Sequence, residues 1–464
     1  MKRTFDVVVV GGGLSGLAAA TYLGRAGLAV AVVEKASELG GRARTTVESG
    51  YSLNLGAHAV YRNSHAFSVL KELEVPLTGS IPSGSGAVAI TKDGTHAMPV
   101  GLVSMLTTGL LSFAGKLELS RVLASLGGID PAPLAGERAS DWIERTVKTE
   151  GARGMLRALA RVATYTGDLE GLSAGAAVSQ MQLALKHNVL YLDHGWQTMV
   201  EALRDRASAA GAVIFTGDGV KQVEPARDGG AVRVELAEGR AFEASAVLLA
   251  VGPRAAASLV PSSASLSAIA ERARPVKAAT LDVALSSLPV ARTRFALGTD
   301  RALYFSVHSA VARLAPEGGA VVHAMMYDPR GEAHAVEREL EDMLDRVQPG
   351  WRERVVHRRF LPSMVAANDL VAAARGGYAG RPGVVVGDAA GVFVAGDWVG
   401  DDGMLLDAAL ASARGACTAI QARVRSTGER RARSAAGATS ANGAAGGVGA
   451  AAGAGAARGR SVQP

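Results

Sequence analysis

Apolar residues along this chain repeat in different rhythms, and the rhythms divide it. The four valines at 7–10 are β-branched and apolar on both faces, which predicts a buried central strand of a parallel sheet. A glycine turn follows at once, and Ala18, Ala19, Ala20, Tyr22 and Leu23 then continue as a helix until Gly27. Residues 28–33 predict a second strand, which ends at Glu34. Apolar runs return at 213–215, 220–223, 232–236 and 246–251, with Gly229 and Gly230 marking a turn, and again at 384–386 and 392–394.

The stretches between them read differently. Residues 137–210 look all-helical, with Ser140 and Asp141 as a capped start and helical apolar spacing over 155–162. Residues 277–328 alternate with period two, in runs at 280–285, 303–308 and 320–327, which predicts a second sheet. A helix at 337–347 ends at Pro349-Gly350-Trp351, and 404–424 read as a long alanine-rich helix. Strands of one sheet thus come from separated segments, an α/β arrangement with α+β material inserted between them. Residues 100–115 fit neither part: they contain no charge, yet are too short and too rich in Gly, Ser and Thr to span a membrane. A buried helix is expected there; the alternative is an apolar mouth resting on a bilayer.

Composition narrows the picture only a little. The 464 residues suffice for two domains. Net charge is +6, but residues 426–464 carry five arginines and one glutamate, which leaves the body at +2 and gives no argument for a nucleic-acid partner. That tail is Ala, Gly, Ser and Arg with almost no large apolar side chain, so disorder is expected. Cys417 stands alone, which excludes an internal disulfide and fits a reducing, cytoplasmic setting. Asp6 interrupts the first apolar run, so the start is not read as a secretory signal.

The chemistry begins in the first turn. Gly11, Gly13 and Gly16 fit G-x-G-x-x-G: a tight turn, close backbone approach to a pyrophosphate, and close helix-to-strand packing. Gly12, Leu14 and Ser15 complete the loop at the positive end of the helix. Glu34, followed by Lys35, stands where a carboxylate accepts from ribose hydroxyls. The order strand, turn, helix, strand, acid predicts a bound dinucleotide. Gly40-Gly41-Arg42-Ala43-Arg44-Thr45 adds two flexible glycines and two guanidiniums suited to a second grip on the pyrophosphate. Gly376-Gly377-Tyr378-Ala379-Gly380 lacks a preceding apolar strand, which argues against a second, NADPH-binding unit.

The G-G-R-x-R-T block, together with Val392-Phe393-Val394-Ala395-Gly396-Asp397-Trp398 and Gly403-Met404-Leu405-Leu406, resembles the signatures of the flavin amine oxidase and phytoene desaturase superfamily. The resemblance covers about residues 5–424. It implies a Rossmann-type FAD-binding domain of the glutathione-reductase-like class with an inserted α+β substrate domain. The FAD-binding parts would be 1–62, 206–260 and 381–425, and the substrate domain 63–205, mostly helical, and 261–380, sheet plus helix. FAD would meet Gly11 to Gly16, Glu34, Lys35, Gly41 and Arg42. Gly56, Ala57 and His58 would lie beside the flavin ring, Val220 at the adenine, Asp397 at the ribityl or pyrophosphate, and Met404 and Leu405 where the closing helix starts. A helix starting under the flavin would stabilise the anion that develops on hydride transfer. Some amine oxidases attach flavin through a cysteine near the closing motif; Cys417 lies well inside the helix, so noncovalent FAD is expected.

No catalytic residue is assigned; His58, Tyr165 and Tyr304 are candidates. Tyr304, His308, His323 and Tyr327 are expected to face the cavity, and no acid–histidine pair has metal-ligand spacing, so no metal is expected. The resemblance and the uncharged 100–115 stretch point to an FAD-dependent oxidoreductase acting on a lipophilic small molecule, the isoprenoids among them. The alternatives are an amine oxidase or protoporphyrinogen-oxidase-like enzyme using oxygen, and a non-catalytic FAD- or lipid-binding protein. The electron acceptor stays open, and residues 100–115 offer a peripheral contact at the inner face of a membrane.

Overall fold

The computed structural model describes residues 3–227 and 230–445, with the backbone alone over 428–445. Strand Arg3–Val10 lies inside a seven-stranded sheet, between Val30–Glu34 and Ala241–Leu249, both parallel to it. Val213–Thr216 extends the sheet beyond Val30–Glu34, while Val232–Leu236 and then Val220–Glu224 extend it antiparallel on the other side. Val392–Val394 runs parallel to residues 247–249 of Ala241–Leu249. The four valines are needed because both faces are covered. Val7 and Val9 pack among Ala19, Leu23, Ala413 and Ile420, whereas Val8 and Val10 face Ala256, Val260 and Leu266.

The second sheet has the order Val355–Ala367, Val276–Leu285, Ala320–Tyr327, Leu303–Val307, Phe295–Gly298, Ala87–Thr91, Gly94–Ala97. The period-two alternation sorts its faces. Leu281, Val283, Phe305, Val322 and Ala324 pack on helix Ala333–Val347 through Val336, Leu340 and Leu344. Thr280, Asp282, Tyr304, Ser306, His323 and Tyr327 fall on the opposite phase, and all are buried.

Several expectations are corrected. Residues 137–210 are not all helical: Val189–Leu192 is a strand paired with Val60–Tyr61 and Gly79–Ser80. Asn188, at φ 57°, ends the preceding helix and turns the chain into it. Helix Ala139–Thr146 starts from Arg138 without a side-chain cap, one residue ahead of the expected Ser140. Residues 384–386 contribute one isolated bridge, Val385 to Phe393, and no strand. Of the expected turn at 229–230, residue 229 lies outside the described residues.

Helix Leu102–Thr107 has no buried residue, so the 100–115 stretch is not a core helix; six residues are too few to turn a full face inward. The closing helix runs Leu405–Ala445, through 20 residues where disorder was expected, because alanine loses no side-chain entropy in a helix. Residues 446–464 of that tail lie outside the described residues. Among the described residues no helix is long and apolar enough to cross a membrane.

Candidate active site

A cavity of about 780 Å³ opens at the C-terminal ends of the parallel strands, where Val10, Val33, Glu34 and Ala395 reach it. Met364, Val365 and Ala366 of the second sheet bound it on the other side. Ligands in open parallel sheets bind at that end of the strands.

The first wall is largely backbone. Gly11 has φ +107°, and a β-carbon on it would lie 2.6 Å from the Ala250 carbonyl oxygen. Gly13 and Gly40 form a parallel bridge, and the Gly40 amide donates to the Gly12 carbonyl at 2.8 Å, so the first turn and the G-G-R block interlock. Leu14 and Ser15 bring helix Leu14–Arg25 to the wall by its amino end, where first-turn amides lack helical partners. Glu34 accepts from the Gly12 amide at 2.7 Å and the Ala36 amide at 2.9 Å while keeping its place on the wall. Lys35, Gly41 and Val220 share that wall. Gly12, Gly16 and Gly56 stand behind the surface rather than on it. Gly16 is the packing glycine: its β-carbon would fall 1.9 Å from the Gly11 oxygen. A floor of bare glycine backbone, a helix amino end and an acid at the second strand fit a dinucleotide cofactor.

The closing motif meets this wall directly. Arg42 Nη1 donates to Asp397 Oδ2 at 2.7 Å and to the Ala366 carbonyl at 3.0 Å. Asn368 supports the carboxylate through its Nδ2 at 2.8 Å and its amide at 3.1 Å. Burial alone would raise the Asp397 pKa; Arg42 and Asn368 overcome it and hold the carboxyl below its usual range. Arg42 and Asp397, each expected to grip the cofactor, thus engage each other and join the G-G-R block to the closing motif. Met404 and Leu405 reach the wall at the start of the closing helix, Leu405 at a strained φ of +54°. Asp407, in the first turn, accepts from the Ala66 amide at 2.7 Å, and burial raises its pKa. Neither Asn368 nor Asp407 had a signal in the sequence, since each acquires its role only through contacts across the fold.

The far wall holds the catalytic candidates. His58 lies edge-on to Trp196 at 4.5 Å, with Nδ1 3.0 Å from the Gly56 oxygen and Nε2 3.1 Å from the Arg42 oxygen. Burial pushes its pKa down to about 4, so at neutral pH the imidazole is uncharged and donates to one of the two carbonyls. Tyr165, at φ 61° after helix Glu150–Thr164, donates its hydroxyl to the Ala57 carbonyl. Burial raises the Tyr165 pKa well above its ordinary value.

Tyr304, His308, His323 and Tyr327 are not on the cavity wall. Tyr165, which is on the wall, packs edge-on against Tyr327 at 5.8 Å, and His308, in a one-turn helix after its strand, stacks on Tyr191 at 3.9 Å. The Tyr304 hydroxyl donates to Ser306 Oγ at 2.9 Å instead. Beneath the 56–58 loop, Asp282 accepts from Thr280 at 2.9 Å, Arg359 at 2.7 Å and the Gly56 amide at 3.3 Å, with His323 Nδ1 at 2.7 Å. This buried network went unread in the sequence, although an aspartate on the polar phase of an apolar strand was its signal.

Residues 14–421 match the sequence model of the flavin-containing amine oxidoreductases. The chain belongs to that family. Its fold is the family's Rossmann-type FAD domain plus substrate domain, and its cofactor is FAD. Among relatives of this family member, a Mycobacterium tuberculosis protein named as a flavin-containing monoamine oxidase, AofH, is 28% identical over 54% of this chain and 57% of its own. A carotenoid 3,4-desaturase of Haloarcula japonica is 49% identical over 11% of this chain and 10% of its own. The chain therefore spans little more than half the length of these curated relatives at most. A putrescine oxidase structure superposes with a TM-score of 0.71 at 19% identity, covering 91% of this chain and all of the other, which establishes the shared fold.

Proposed function

We propose that this family member is an FAD-dependent dehydrogenase of an uncharged, lipophilic substrate, with isoprenoid chains as the leading class. The observation that carries this reading is the state of the wall away from the glycine floor. Ala57, Tyr61, Tyr165, Met364 and Leu406 line it, His58 is neutral there at pH 7, and burial pushes both tyrosines toward their protonated form. Burial raises the Asp407 pKa against the lowering pull of Ser64 and the Ala66 amide. Such a wall suits a substrate without charge.

The chemistry FAD would supply when bound is that of a hydride acceptor. The chain's part is to position and to exclude water. In this reading the glycine loops and Glu34 hold the dinucleotide, Arg42 and Asp397 close the site behind it, and Tyr165 fixes the Ala57 carbonyl. The closing helix directs its positive end at the cavity. The first sheet, with residues 1–62, 206–260 and 381–425, would form the cofactor-binding part. Cys417 is 2% exposed and its thiol is pushed up to about 12, so we propose that the cofactor is held without a covalent link.

A second reading, oxidation of an amine entering in its neutral form, draws support from the monoamine oxidase name of the mycobacterial relative. Anaerobic mixing with polyenes and with an amine panel separates the two. Bleaching of the flavin band by polyenes alone is expected. Bleaching by amines alone, with peroxide released in air, would replace the first reading by the second, and no bleaching by either would leave a non-catalytic FAD-binding protein. Acid precipitation should leave the yellow colour in the supernatant; a yellow pellet would refute the noncovalent assignment.

A further inference from the structure

Twelve large apolar side chains stand out as exposed among the described residues, and six of them fall between positions 100 and 117. Val100 is 55% exposed, Leu102 78%, Val103 74%, Leu106 66%, Phe113 86% and Leu117 44%. Single exposed apolar residues are ordinary, but a contiguous group marks a contact surface. The group is one surface because Lys116, on helix Phe113–Ser125, donates its ammonium to the Leu106 carbonyl at 2.6 Å and ties that helix to Leu102–Thr107.

Three cations stand beside it, Lys116, Arg121 and Lys148, together with the acids Glu118 and Glu150. Arg121 follows Phe113 and Leu117 at four-residue steps and shares their side of the helix. Lys148 is exposed, and its amide donates to Glu118 Oε1 at 3.1 Å, which places it next to the same helix. Glu118, the one acid on this helix, is turned to the loop, accepting from the Thr149 amide at 2.9 Å and hydroxyl at 2.7 Å. Apolar side chains with Lys116, Arg121 and Lys148 along the helix beside them complement an anionic lipid surface, where acyl chains take the apolar groups and headgroups the cations. On the inner side, Met105 and Leu110 pack against the apolar cluster that includes Ala57 and Met404 of the cavity wall.

We propose that residues 100–117 seat the protein on an anionic bilayer surface, and that its substrate reaches the cavity from that leaflet. The docking stands on the exposed surface alone; the delivery rests on the lipophilic-substrate reading.

The test is flotation of the full FAD-loaded chain with phosphatidylcholine vesicles, with and without about one-third phosphatidylglycerol. Binding to the anionic vesicles, weakened by salt, is expected. The triple variant Leu102→Asp, Leu106→Asp, Phe113→Asp should lose at least about tenfold in bound fraction, with unchanged flavin absorbance and melting temperature because all three side chains are exposed. Lys116→Gln with Arg121→Gln should remove the preference for anionic lipid. Failure of the wild type to float, or equal flotation of the triple variant, would overturn the docking. So would a wild-type dimer that the triple variant dissolves without any lipid binding, since the surface would then belong to a second copy. Flavin bleaching with detergent-dispersed polyene, measured on the triple variant, keeps the two claims apart: bleaching without flotation supports both, and no bleaching even by wild type removes the delivery while leaving the docking intact.

Discussion

The cavity's two walls differ in what they ask of the chain. The cofactor wall is built round the glycine turn and the G-G-R block of residues 10–43, completed by segments at 219–220, 250–259 and 395–397. The opposite wall is made of side chains from segments near 57–61, 165, 364 and 404–407, brought together only by the finished fold. At Gly11 and Gly16 the first wall leaves no room for a β-carbon, whereas the second depends on side chains that are buried together.

That contrast can be put under strain most heavily at Gly16. Gly16→Val would force a β-carbon to within 1.9 Å of the Gly11 oxygen, with no rotamer to relieve it, so we expect loss of about 4 kcal/mol or more and no FAD uptake, read by thermal unfolding and FAD titration. A stable, yellow Gly16→Val protein would show that the backbone wall is not rigid. Next in size is Asp397→Ala, which strips Arg42 and Asn368 of their acceptor. Because the Arg42 side chain is 43% exposed, water replaces part of the loss, and about 2 kcal/mol is expected by thermal unfolding.

The smallest effect sharpens the comparison by pH. His58 and His308 both have folded pKa values below the ordinary 6.5, so the folded chain binds fewer protons than the unfolded one. Stability should be full above that value and fall as pH drops from about 6.5 toward 4. His58→Gln should flatten part of that slope and change little at pH 7.5. Asp397 contributes in a different window: with its pKa lowered, its stabilisation persists above the unfolded carboxylate value and is lost only as pH falls below about 4. Equal acid slopes for wild type and His58→Gln, by denaturant titration at each pH, would remove His58 from the account.

The same division explains what could be read from sequence. Gly11, Gly13, Gly16 and Glu34 announce themselves because a fixed local geometry requires those residue types at that spacing. The valine run was legible for a similar reason, since only a strand covered on both faces wants four in a row. Tyr304 was misplaced although its strand and phase were right, because periodicity says which side a residue faces and not what stands in front of it. Asn368 and Asp407 gave no signal at all: a polar residue in a loop or a helix turn looks the same whether its partner is water or a carboxylate 29 positions away. The buried helix expected at 100–115 is not found, since an uncharged run does not say what covers it and helix Leu102–Thr107 buries no residue.

The Arg42–Asp397 bridge spans 355 positions of sequence. During synthesis the nucleotide loop therefore leaves the ribosome long before the partner that closes it, and the parallel pairing of Ala241–Leu249 with both Arg3–Val10 and Val392–Val394 imposes the same wait. A nascent chain stopped short of Asp397 is left with an unclosed nucleotide site. FAD uptake by chains cut before and after residues 392–397 would show how far the site depends on that late-made segment.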